Sequence, residues 1–169
     1  EIHERLVGSE MCIRDSYRDS RPNLFALYGL AGKLEEALLK RVWLKSGGYL
    51  VIEPTEALTV IDVNTGKYDG SKNVEETFAL INREAAQETA RQIRLRNLSG
   101  IILIDFINQK DRQAAKELLE ELRSLCKDDP VPVRVVDITA LGLVELTRKK
   151  VKGTLAEQLK GLKPTGVQR

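Results

Sequence analysis

ALTVIDVN (Ala57–Asn64) is the stretch on which the reading of the fold turns. Its β-branched residues Thr59, Val60, Ile61 and Val63 suit an extended chain. A second such run, Tyr49-Leu-Val-Ile-Glu53, precedes it across the short connection Pro54-Thr-Glu56, which predicts an antiparallel hairpin. Downstream, GIILIDF (Gly100–Phe106) is almost unbroken apolar sequence, the pattern of a strand covered on both faces inside a sheet. Between the two lies a long helical pattern. Asn73 opens it, with Glu76 three residues on as the partner of a capping box. Val74, Phe78, Ile81 and Ala85 recur at helical spacing as its buried stripe, Arg83 and Arg94 fall on the far side, and Asn97 with Ser99-Gly100 stops it.

Further out, Leu34, Ala37, Leu38 and Val42 predict a helix over residues 34–44, ended by Gly47-Gly48. Asp111 is the N-cap of another, with Ala114, Leu118, Leu122 and Leu125 as its core stripe. Val131 to Ile138 reads as a strand, and Leu141 to Leu146 as a further apolar segment before the basic cluster Arg148-Lys-Lys150. The order strand, strand, helix, strand, helix, strand predicts an α/β or α+β fold with one mixed sheet flanked by helices.

A chain of 169 residues can bury one sizeable core but not two. The expected division is a foreign leader over 1–16, which has no clear period, then a remnant of a preceding domain and linker over 17–32, the principal domain over 33–158 and a tail over 159–169. Setting the leader aside removes Arg5 and Arg14 but also Glu1, Glu4, Glu10 and Asp15, so the remainder is more basic than the net charge of +2 suggests. No apolar run approaches the roughly 20 residues that span a bilayer. Cys12 and Cys126 are distant and belong to no C-x-x-C pair, which points away from a disulfide framework or a zinc site and towards a reducing, cytoplasmic setting. The single histidine, His3, leaves the body of the chain without an imidazole, so hydrolysis here has to rely on carboxylates and a metal.

Two strands end alike, in Asp62-Val-Asn64 and in Asp105. Carboxylates at the C-terminal ends of buried strands point into the crevice where α/β sheets bind ligands. Asp62 and Asn64, two apart on a strand, project from one face, and Asp105 joins them if the strands are neighbours. Two carboxylates and an amide oxygen form a hard ligand set that favours Mg²⁺ or Mn²⁺ and, with it, phosphodiester hydrolysis. An Asp at a strand end also serves as a plain turn residue, and Asp137 ends Val133-Arg-Val-Val-Asp137 in the same way. Lys67 and Lys72 follow the proposed site, and Arg91, Arg94, Arg96, Arg148 and Lys149 offer charge to phosphates. Arg94 and Arg96 also suit a helix C-terminus on grounds of the macrodipole alone. Tyr49, Tyr68 and Phe106 are candidates to stack on unpaired bases.

SGGYLVIEPTEALTVIDVNTGK (Ser46–Lys67), VEETFALINREAAQETARQIRLRNLSGIILIDFIN (Val74–Asn108) and LGLVELTRKK (Leu141–Lys150) resemble successive blocks of the ribonuclease E/G catalytic core. The resemblance implies a deoxyribonuclease-I-like subdomain of an endoribonuclease that cuts single-stranded, A/U-rich RNA with Mg²⁺ and leaves a 5′ phosphate. It places the metal-ligating aspartates on Asp62 and Asp105 and the supporting asparagine on Asn64, and it makes Arg91, Arg94, Arg96, Arg148 and Lys149 candidates to hold RNA. Asn108 stands where many members carry an Asp, and the zinc-binding C-P-x-C segment is absent, so no zinc site is expected in this chain. A homo-oligomeric full-length parent is left open. So is a different class of role, that of an RNA-binding or scaffolding fragment without turnover, because the family's other RNA-gripping domains are not part of this sequence. A small-molecule phosphohydrolase would need a glycine-rich phosphate loop, and Gly66 and Gly70 are too sparse for one.

Overall fold

The computed structural model describes residues 24–66, 74–109 and 111–161. The chain divides into two compact units, 1–35 and 36–169. Within the first, α1 (Leu24–Leu27) is a single turn closed by the Tyr28 N–H on the Leu24 carbonyl, and α2 (Leu30–Leu38) begins. The second unit holds everything that follows.

Its frame is a six-stranded mixed sheet of β1 (Arg41–Trp43), β2 (Tyr49–Pro54), β3 (Leu58–Asn64), β4 (Gly100–Asp105), β5 (Val133–Ile138) and β6 (Val144–Arg148), in the order β1-β2-β3-β4-β6-β5. Only β3 and β4 pair in parallel, joined through the long helix α3 (Val74–Arg96). The other neighbours are antiparallel. After β4 come α4 (Arg112–Cys126) and, past β6, the short α5 (Leu155–Gly161). The expected mixed sheet with flanking helices is the fold observed.

Alternation sorts the sheet into two faces. Leu50, Ile52, Ile61, Val63, Ile102, Ile104, Val144 and Leu146 are buried on one face, in a core shared with Ile81, Ala85, Ile93, Leu119 and Leu122 of α3 and α4. The opposite face carries Val51, Val60, Asp62, Asn64, Leu103 and Asp105, half-buried or exposed. This corrects the reading of β4 as a strand covered on both sides. Ile101 is 50% exposed, and so short an apolar run cannot by itself show which face is open.

Two more expectations change. Val42 belongs to β1 rather than to the end of a helix, since α2 stops at Leu38 and the chain turns through Gly47-Gly48 to pair Val42 with Leu50. Sheet pairing decides in favour of the β-branched and aromatic pair Val42-Trp43 over the weaker helical period. Val74 is exposed, so the buried stripe of α3 starts at Ile81 and runs through Ala85, Ala86, Ala90 and Ile93. Asp111 caps α4 as expected, accepting from the Gln113 N–H at 2.8 Å. Asn73 lies outside the described residues. Asn97, at φ 50°, and Gly100, at φ 84°, turn the chain out of α3 and into β4.

Candidate active site

Asp62 and Asp105 are direct register partners across the parallel pair β3 and β4. Neighbouring strands lie about 4.8 Å apart, and partners in register present their side chains on the same face. Both carboxylates therefore rise from the exposed face of the sheet at one end. Asp62 is half-buried and Asp105 exposed. Asn64 stands two residues on from Asp62 on that face and donates its Nδ2–H to Asp62 Oδ2 at 2.7 Å, which leaves the amide Oδ1 outside that bond. The strands that carry Asp62 and Asp105 are thus neighbours, which brings the two carboxylates and Asn64 together on one face.

Contacts from α3 and from the turn between β1 and β2 hold the strand ends in place. Asn82, fully buried on α3, donates its Nδ2–H to the Ile107 carbonyl at 2.8 Å and accepts the Ile107 N–H on Oδ1 at 2.9 Å. The segment immediately after Asp105 is thereby clamped to the long helix. The end of β3 is fixed from the other side by Ser46-Gly47-Gly48, the turn between β1 and β2. A Cβ on Gly66, at φ 68°, would meet the Gly47 carbonyl oxygen at 2.3 Å, and one on Gly48 would meet the Asn64 carbonyl oxygen at 2.9 Å. Glu84 of α3 in turn accepts the Ser46 N–H at 2.9 Å. Asn82 was legible only as a polar residue inside an apolar helical stripe. A cleft of about 490 Å³ opens beside the start of α3, lined by Glu76, Phe78, Asn108 and Asp111 among others.

The donor set suits a hard divalent cation. Two carboxylates and an amide, all oxygen and partly solvated, match the one or two carboxylates with retained waters that Mg²⁺ takes. Among the described residues no group of three His, Cys, Asp or Glu comes together. The ion would therefore rest on the pair of aspartates with Asn64.

The basic residues are arranged differently from the sequence expectation. Arg148 pairs with Gly100 at the start of β4, five residues and about 16 Å from Asp105 at its end. It is buried, and its guanidinium donates to both oxygens of Asp129 at 2.9 and 3.0 Å, to Asn97 Oδ1 at 2.7 Å and to the Leu98 carbonyl at 3.1 Å. Burial pushes the Asp129 carboxyl up, but the hydrogen bonds from Arg148 and the Val131 N–H, with the charges of Arg148 and Arg94, hold it below the usual carboxylate range. Arg148 is a structural tie, not an exposed grip for RNA. Arg96 is also buried, donating from Nε to Gln92 Oε1 at 2.6 Å, while its Nη2 has no partner among the described residues. Arg91 is exposed and engaged by Glu88, Arg94 is exposed and donates to the Leu125 carbonyl, and Lys149 is exposed. Arg148 therefore stands at the opposite end of β4 from Asp105. Lys67, Lys72 and Tyr68 lie outside the described residues, and Phe106 is buried in the core.

A mixed sheet with two aspartates side by side at the ends of its parallel strands defines a class of α+β protein with a compact acidic site on one sheet face. The Ribonuclease E/G family model matches residues 5–151, a span that includes most of the stretch read as a leader. The chain is 40% identical over 156 residues to Ribonuclease G of Escherichia coli (strain K12), covering 92% of this chain and 32% of that protein. It is 46% identical over 136 residues to Ribonuclease E of Nostoc sp. (strain PCC 7120), covering 80% of this chain and 20% of that one. With Ribonuclease G of Haemophilus influenzae it shares 44% identity over 143 residues, 85% of this chain and 29% of that protein. The chain belongs to the ribonuclease E/G family. It spans about a third of the length of these ribonucleases G and a fifth of that ribonuclease E. No helix among the described residues is long and apolar enough to cross a membrane.

Proposed function

We propose that this chain is the Mg²⁺-dependent catalytic subdomain of a cytoplasmic endoribonuclease that hydrolyses phosphodiester bonds in single-stranded, A/U-rich RNA. The observation that carries the reading is the in-register pairing of Asp62 with Asp105 on neighbouring parallel strands, in a chain whose relatives are named ribonucleases. Asp62 and Asp105, with Asn64, would hold Mg²⁺ or Mn²⁺, which when bound supplies positive charge to the phosphate and lowers the pKa of water. The residues of the chain contribute preorganisation. Asn64 orients the Asp62 carboxylate through its Nδ2–H, and Asn82 fixes the backbone that follows Asp105. Side chains held this way need little rearrangement when substrate arrives.

The test is cleavage of a short A/U-rich single-stranded RNA by this chain and by a longer parent protein carrying it, with and without Mg²⁺, scoring the 5′ phosphate on the product. Undiminished cleavage by Asp105→Asn would overturn the assignment. The second reading is a scaffold that binds RNA without turnover. Retention of RNA by the parent at saturating Mg²⁺, with no cleavage, would select that reading instead.

A further inference from the structure

The edge of the sheet beside the acidic cluster carries an unusual group of side chains. Trp43 pairs with Tyr49 across β1 and β2, and Tyr49 pairs with Asn64 across β2 and β3. These three residues therefore form one row on the exposed face. The adjacent row runs Arg41, Val51, Asp62, Asp105. At about 4.8 Å per strand, Trp43 and Arg41 each lie about 10 Å from the β3 members of the cluster. The two rings meet edge to face with centroids 5.2 Å apart, and the Arg41 guanidinium sits 4.5 Å from the Tyr49 ring and 5.7 Å from that of Trp43. Trp43, the sole tryptophan of the chain, is nevertheless 64% exposed.

Folding gains little from leaving the largest apolar side chain in water on an edge strand. The arrangement is of more use to a ligand. Arg41 and Tyr49 brace the indole, so little side-chain freedom remains to be lost on binding. An aromatic face next to a guanidinium matches an unpaired nucleobase and the phosphate attached to it, the two features by which single-stranded nucleic acid is held. The same sheet face continues without a break to Asp62 and Asp105.

We propose that Arg41, Trp43 and Tyr49 form a stacking platform that holds one unpaired base of the RNA substrate beside the carboxylate pair, an inference that rests on the endoribonuclease reading of that pair. Trp43 supplies the stacking surface, Tyr49 supports it, and Arg41 contributes both the brace and positive charge for the phosphate. A base-paired strand offers no free base face and is excluded from the platform.

The single tryptophan makes the test direct. A short A/U-rich single-stranded RNA is titrated into the longer parent protein with EDTA present, following binding by the anisotropy of labelled RNA, and into this chain, following the fluorescence of Trp43. Saturable quenching is expected with the single strand and not with a duplex of the same sequence. In the parent, Trp43→Ala should weaken binding about tenfold or more, Trp43→Phe should restore most of it, and Arg41→Ala should weaken it and make its loss with salt shallower. Unchanged affinity in Trp43→Ala, or equal quenching by duplex, would overturn the platform. Cleavage is scored separately with Mg²⁺. A protein that binds with quenching yet never cleaves sinks the endonuclease reading alone, one that cleaves with Trp43 unmoved sinks the platform alone, and absence of RNA binding sinks both.

Discussion

At one end of β4, Asp105 stands exposed beside Asp62, which accepts a hydrogen bond from Asn64 on its own strand. At the other end, Arg148 crosses from β6 and engages Asp129, Asn97 and the Leu98 carbonyl, with the side chains of Arg148 and Asp129 only 3% and 2% exposed. Both are charged clusters at strand ends, yet they are built on opposite principles. At the arginine end each guanidinium nitrogen of Arg148 donates to protein and is removed from water, so its charge ties the helix-to-strand turn at Asn97 to β6 and to the segment after α4. The carboxylate end keeps negative charge at the surface with acceptor capacity in hand. A saturated, buried charge stabilises a fold only as a complete pair, whereas an unsaturated one on a rigid frame is available to a ligand.

Four measurements probe that contrast. The largest effect is expected at the arginine end, where Asp129→Ala leaves a buried guanidinium without its partner and should cost about 3–5 kcal/mol in urea unfolding; a cost under 1 kcal/mol would show that the tie is not structural. At the carboxylate end the pattern reverses. Asp62→Asn in the parent should lower Mg²⁺-dependent cleavage by at least about 100-fold, taking the loss of a metal ligand to exceed the 10–100-fold typical of its supporting residues, while shifting stability by less than about 0.5 kcal/mol, as for an ordinary surface change. Asn82 links the two properties. Asn82→Ala orphans the N–H and carbonyl of Ile107 and should cost about 1–3 kcal/mol, with cleavage in the parent falling about 10- to 100-fold; normal cleavage in a destabilised variant would separate the clamp from the site.

The smallest effect is in pH dependence. Asp129 is held below its ordinary value in the folded chain, so its stabilisation is complete above the unfolded value of about 3.9 and is lost as pH falls through the lower folded value. Burial pushes Glu88 up, but hydrogen bonds from Arg91 and Gln92 and the charges of Arg91 and Arg96 outweigh it, and the same sign follows below about pH 4.3. The urea midpoint should therefore decline on acidification below about pH 4, and less steeply in Asp129→Ala, whose lost pair no longer titrates. An equal slope in the two proteins would place the acid sensitivity elsewhere.

Much of the carboxylate end was legible in the order of residues. Alternation along ALTVIDVN put Asp62 and Asn64 on one face, and the like ending of GIILID suggested Asp105 as their partner, because period two is a local property of extended chain. The arginine end was not legible. Arg91, Arg94, Arg96, Arg148 and Lys149 appear in the sequence as one kind of object, basic residues near element ends, and only packing separates the buried Arg96 and Arg148 from the exposed remainder. The helix expected to reach Leu44 failed for a related reason, since β1 exists only through its pairing with β2.

Local sequence patterns specified strands β2 to β4, the helix between the parallel pair and the family to which the blocks belong. Periodicity and turn chemistry act over a few residues, so they survive without the fold. Which strands lie beside β4, which face of β4 is open, and that Arg41 and Trp43 share that face with Asp62 and Asp105 were decided by the tertiary structure alone. Register between strands is set by burying the greatest apolar surface on one side of the whole sheet, a condition that no single segment contains.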